Sequence, residues 1–121
     1  MNETGLSSVG LAWLGDAVFE VLVRMKIAEA GDLPVDQMFT AAKSLSNARA
    51  QSEFYAVLEP VLTEEEAAVM RRGRNAKTMT RAKNANIGEY RRATGVEALF
   101  GYLVLNGRVD RVFELFGLVK E

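Results

Sequence analysis

The amino-acid sequence predicts an all-α protein, on three observations. Apolar residues recur three and four apart, as in Val35, Met38, Phe39 and Ala42 and again in Val109, Val112, Phe113 and Phe116, which is the period of a helix with one buried face. Helix punctuation stands between these stretches: Thr63 followed by Glu66, Gly31 with Pro34, and the dipeptide Asn106-Gly107. No stretch alternates apolar and polar residues between hairpin turns as paired strands would. A chain of 121 residues is long enough to bury one hydrophobic core, so a single domain over residues 1–121 is expected.

The first helix is "LAWLGDAVFEVLVRMKIAEA" at 11–30, apolar almost all round, and "AGDLP" at 30–34 ends it. A short helix is expected over 35–43, and the next over "SLSNARAQSEFYAVLEPVL", from about Ser46 to Glu59, with Pro60 closing it. "TEEEAAVMRRG" opens with the pattern of a capping box, and acids at its start and arginines at its end suit the helix dipole, with Gly73 as terminator. Residues 74–87 show no apolar period and read as a long loop, a length that in compact domains usually carries function or disorder. A helix from about Gly88 to Leu105, closed by Asn106-Gly107, and a last helix over "RVDRVFELFGLV" complete the chain.

Composition excludes much chemistry. The chain has no cysteine and no histidine, so disulfides, thiolate nucleophiles, histidine bases and Cys/His zinc sites are ruled out. Catalysis by this chain would need carboxylates, amines, hydroxyls or an oxygen-bound metal. "MNETGLSSVG" has neither the basic nor the apolar region of a secretory signal, and "ALFGYLVL" is too short to span a bilayer, so a cytoplasmic location is expected.

Charge is segregated along the chain. Arg71, Arg72, Arg74, Lys77, Arg81, Lys83, Arg91 and Arg92 face only Glu89 between residues 71 and 92, a local balance of +7 in a chain of net charge −1. Such a patch on an otherwise acidic protein suits a polyanionic partner, and equally a solvated basic helix end and loop.

Two carboxylates stand in the wrong surroundings. Asp16 interrupts the first apolar helix, and Glu97 is the lone charge in "VEALFGYLVL". A buried, unpartnered carboxylate costs several kcal/mol or more, so such groups are neutral, paired or metal-bound. Periodicity by itself favours structural roles: Asp16 or Glu97 as a helix cap, or either paired with Arg24 or Arg91. Glu20 fits an i,i+4 pair with Arg24. If the two acids instead converge, an all-oxygen pair suits Mg²⁺, which binds few protein carboxylates and accepts phosphate oxygens. Beside a basic patch, that chemistry is phosphodiester hydrolysis.

The segments "LGDAVFE" at 14–20, "RRGRNAK" at 71–77 and "YRRATGVEALFGYLVL" at 90–105, in that order, resemble the ribonuclease III domain and within it the Mini-ribonuclease III subfamily, which has the catalytic domain without a double-stranded-RNA-binding domain. The resemblance covers nearly the whole chain. It implies the ribonuclease III endonuclease fold as a helical homodimer, with Asp16 and Glu97 as catalytic metal ligands for Mg²⁺, which Mn²⁺ can replace. The wider family has two further acids, at positions held here by Ala12 and Thr94; Thr94 could at most hold a metal-bound water. Trp13 would lie in an aromatic plug at the dimer interface, or else be an ordinary core tryptophan.

The resemblance further implies a Mg-dependent endoribonuclease cutting double-stranded RNA, with precursor 23S ribosomal RNA as its substrate. A degenerate RNA-binding module with the same fold, which the missing acids favour, is the alternative; a helical dimerisation adaptor fits the basic segment less well. RNA contacts are expected from Arg71, Arg72, Arg74, Asn75, Lys77, Arg81 and Lys83, with Arg74, Asn75 and Lys77 nearest the duplex and Arg91 and Arg92 clamping phosphate beside Glu97.

Overall fold

The computed structural model describes residues 5–76 and 86–119. Six α-helices lie among them: α1 (Ser8–Ala30), α2 (Val35–Ser46), α3 (Ala48–Leu58), α4 (Glu64–Asn75), α5 (Ile87–Leu105) and α6 (Val109–Phe116), with one 3₁₀ turn at Glu59–Val61. The described residues contain no strand, as the sequence leads one to expect. None of their helices is long and apolar enough to cross a membrane.

Helix α5 is the hub. From Ala93 to Leu103 every residue except Glu97 is buried, and α1, α3, α4 and α6 all pack against it. A helix apolar on all faces has to lie inside, which explains why its sequence lacks a polar stripe. Phe19 of α1, Phe54 of α3, Phe100 of α5 and Phe116 of α6 meet at ring-centroid distances of 5.5–6.1 Å in tilted or edge-on pairs, the arrangement that ring quadrupoles favour.

Glycines set how closely the helices approach α5. A β-carbon on Gly15 of α1 would collide with the Glu97 backbone carbonyl, and one on Gly101 of α5 would collide with the Leu11 carbonyl. The two helices therefore cross backbone to backbone. On another face of α5, a β-carbon on Gly73 would meet Ala98 Cβ at 2.7 Å, and one on Gly95 would meet the Met70 carbonyl oxygen at 2.6 Å. This overturns the reading of Gly73 as a terminator: α4 runs on to Asn75, and Gly73 is there to let α4 lie against α5.

Local signals placed most helix ends. Ser7 Oγ accepts from Gly10 N at 3.0 Å at the start of α1. Thr63 Oγ1 accepts from Glu66 N at 3.1 Å while Glu66 accepts from Thr63 N at 3.0 Å, completing the expected capping box of α4. Gly107, at φ +75°, closes α5 as expected. The boundaries within residues 43–62 differ from the sequence reading. Helix α2 reaches Ser46, Asn47 caps α3 by accepting from Ala50 N at 2.8 Å, and Pro60 lies inside the 3₁₀ turn. Asn86 caps α5 by accepting from Gly88 N at 2.8 Å, so Arg74, Asn75 and Ile87 are helical; residues 77–85 of the expected loop lie outside the described residues.

Helix α6 is tied to α4 by a buried ion pair. Arg111 Nε and Nη2 donate to the two oxygens of Glu66 at 2.9 and 2.8 Å. Burial works against ionisation of Glu66, but the Arg111 and Thr63 hydrogen bonds outweigh it and hold the carboxyl below its usual range.

Candidate active site

Asp16 and Glu97 come together where α1 crosses α5. Gly15 removes the side chain that would keep the helices apart, and Asp16 follows it in sequence. The two carboxyl groups lie within hydrogen-bonding reach. Both acids sit in mid-helix, so neither caps a helix end. Arg24 pairs instead with Glu20 at 2.7 Å, on an exposed surface, as the i,i+4 spacing predicts.

The surroundings of Glu97 oppose its charge. Burial, followed by the hydrogen bond and the like charge of Asp16, pushes its carboxyl up to about 8, while a hydrogen bond from Gln51 acts in the other direction. Gln51 is 3 % exposed and its Nε2 donates to Glu97 Oε2 at 3.4 Å. These surroundings disfavour ionisation of Glu97, and a small divalent cation held by the two carboxyl groups would relieve the same repulsion. This donor set fits Mg²⁺. Among the described residues no third acid, histidine or cysteine joins the pair. Ala12 is buried, and Thr94 Oγ1 donates to the Tyr90 carbonyl at 2.9 Å, so its hydrogen is already engaged.

The arginines divide into two sets. Arg24, Arg49, Arg108 and Arg111 each form an ion pair with a glutamate. Among the described residues Arg71, Arg72, Arg74, Arg91 and Arg92 form none. They lie at the end of α4 and the start of α5. Arg71, Arg72, Asn75 and Arg91 are exposed, and Arg74 and Arg92 are half-buried. Lys77, Arg81 and Lys83 lie outside the described residues.

Trp13 is not a core residue, being 79 % exposed. With Val9, Ala17, Val21 and Met25, all exposed, it forms a ridge along α1 at i+4 spacing. Sequence reasoning missed Gln51, Ser52 and Tyr55, three buried polar residues of α3. The signal was present: they share the helical stripe of Phe54 and Leu58, where polar groups need partners.

Fold and site together define a class. Residues 9–108 match the ribonuclease III domain. A crystal structure of a Fusobacterium nucleatum protein, 26 % identical, shares the fold with a TM-score of 0.89 over 98 % of this chain and 97 % of that one. The Mini-ribonuclease 3 of Brevibacillus brevis is 45 % identical over 87 % of this chain and 78 % of its own length. That of Symbiobacterium thermophilum is 42 % identical over 94 % of this chain and 88 % of its own length. The chain belongs to the Mini-ribonuclease 3 family, and is a ribonuclease.

Proposed function

We propose that this ribonuclease is a Mg²⁺-dependent endonuclease of double-stranded RNA. The observation that carries the reading is the meeting of Asp16 and Glu97 at the α1–α5 crossing, two acids from distant parts of the chain that would together hold one cation. Asp16 and Glu97 would hold the metal, with Mn²⁺ able to replace Mg²⁺; when bound, it supplies an activated water and neutralises charge on the phosphate. Burial and Gln51 keep the Glu97 carboxyl in place, and Gly15 fixes the distance between the two helices. Arg71, Arg72, Arg74, Arg91 and Arg92, which form no ion pair among the described residues, offer guanidinium donors to a phosphate backbone, the dominant feature of duplex RNA.

The exposed apolar ridge of α1 centred on Trp13 supports a homodimer about this helix, bringing two acid pairs to one duplex. Family membership supports precursor 23S ribosomal RNA as the substrate and the cytoplasm as the place of action. Incubation of the chain with duplex RNA, single-stranded RNA and duplex DNA, with Mg²⁺, Mn²⁺ or chelator, tests the reading. Cleavage confined to duplex RNA with a divalent cation is expected; binding without cleavage under every condition would favour a degenerate RNA-binding module instead.

A further inference from the structure

Each buried polar side chain of α3 is bonded to a residue of the candidate site. Gln51 donates to Glu97 as described above. Ser52 Oγ, in a residue 7 % exposed, accepts from Arg92 Nε at 2.6 Å. The Tyr55 hydroxyl, in a residue 3 % exposed, accepts from Arg74 Nη1 at 3.1 Å, and the guanidinium lies 5.8 Å from the centre of the tyrosine ring. These partners come from two different helices, α4 and α5. They meet α3 because Gly73 and Gly95 let the three helices close: a β-carbon on Gly95 would stand 3.1 Å from Tyr55 Cε2 and 3.3 Å from Arg74 N.

The bonds leave specific donors free. Arg92 is held through Nε, and its two terminal nitrogens, lying beside Gly88, make no hydrogen bond among the described residues and so keep their donors. Arg74 gives Nη1 to Tyr55 and Nε to Asn75 Oδ1, at 3.2 Å, and keeps Nη2. A free arginine loses much rotamer freedom on gripping phosphate; one already fixed by a buried partner loses less. An apolar face on α3 would pack the core as well, so its polar groups stand out as a device for orienting their partners.

We propose that Tyr55 and Ser52 are positioning residues that preset Arg74 and Arg92 as a two-point phosphate grip for duplex RNA, with α3 as the rail that also steadies Glu97. The proposal rests on the reading of duplex RNA as the substrate. Its strength is that neither Tyr55 nor Ser52 needs to touch RNA for its loss to be felt.

The test is a pair of double-mutant cycles on affinity for a duplex RNA of about two helical turns, measured in chelator so that nothing is cut. Tyr55→Phe keeps the ring and the packing. It should weaken binding by roughly three- to tenfold, and by nothing further once Arg74 is alanine. Ser52→Ala should behave in the same way towards Arg92→Ala. In cleavage assays Tyr55→Phe should raise KM more than it lowers kcat, which general loosening of the core would not do. Thermal melting of each variant shows whether it is folded. If Tyr55→Phe binds as the unmodified chain does while Arg74→Ala is weakened, the positioning role is wrong and the substrate reading stands. Additive losses in both cycles would also overturn it. If the unmodified chain binds no duplex RNA, the substrate reading itself falls, and the grip with it.

Discussion

At the scale of single residues, the Glu97 carboxyl stands far above the usual carboxylate range. Folded, its carboxyl holds a proton up to about pH 8, whereas an unfolded glutamate releases it near 4.5. The folded state therefore binds the extra proton across that window, so stability of chelator-treated protein should fall as pH rises through it. Glu97→Gln has no proton to lose, and its melting temperature should decline less between about pH 5 and 8. Saturating Mg²⁺ should also flatten the decline in the unmodified chain. Melting curves across pH, with and without chelator, check this; parallel profiles for the two proteins would show that folding does not raise the Glu97 carboxyl. Glu66 shows the opposite behaviour, because Arg111 favours its ionised form. Its contribution to stability is present above the ordinary glutamate range and is lost as pH falls below it.

At the scale of helices, the site depends on how closely α1 and α5 approach. Gly15→Ala places a methyl against the Glu97 carbonyl, and overpacking of this kind costs roughly 1–3 kcal/mol. It should also push Asp16 from Glu97 and remove cleavage before it removes folding. Gly10→Ala is the control: its β-carbon meets nothing nearer than Ser7 Oγ at 3.4 Å, so stability should hold or improve slightly. Equal losses at both positions would contradict the close-crossing account. Arg111→Ala should lower stability by about 3 kcal/mol, because it leaves Glu66 buried without its main partner. Denaturant unfolding measures all three. These packing roles explain what the sequence showed and what it did not. The capping box of Thr63 and Glu66, the Asn106-Gly107 stop and the helix after it were legible because each is a signal within a few residues. Gly73 was misread because a glycine after arginines looks the same whether it ends a helix or admits a neighbouring one. The convergence of Asp16 and Glu97 was also beyond periodicity, which tells which face of a helix is apolar but not where two helices cross. Motif resemblance supplied that link. The polar row of α3 was visible as residues, but its partners on α4 and α5 were not.

At the scale of the whole molecule, segregated charge and an exposed apolar ridge are the two features on which the proposed RNA binding and the proposed dimer rest. The ridge predicts association at micromolar concentration. Trp13→Ala should weaken it by about 2 kcal/mol or more, roughly thirtyfold, if the tryptophan is the central anchor. Sedimentation of both proteins decides this; a stable monomer for the unmodified chain would leave α1 without the proposed partner. The central claim is that the acid pair performs metal-dependent cutting of duplex RNA that other residues bind. The most direct measurement is single-turnover cleavage of duplex RNA with Mg²⁺ by the unmodified chain, Asp16→Asn and Glu97→Gln, with duplex affinity measured alongside. Both variants should stay folded and bind the duplex within a few-fold of the unmodified chain, yet cut at least a hundredfold more slowly. Cleavage by either variant at the unmodified rate, or cleavage by the unmodified chain in chelator, would contradict the account.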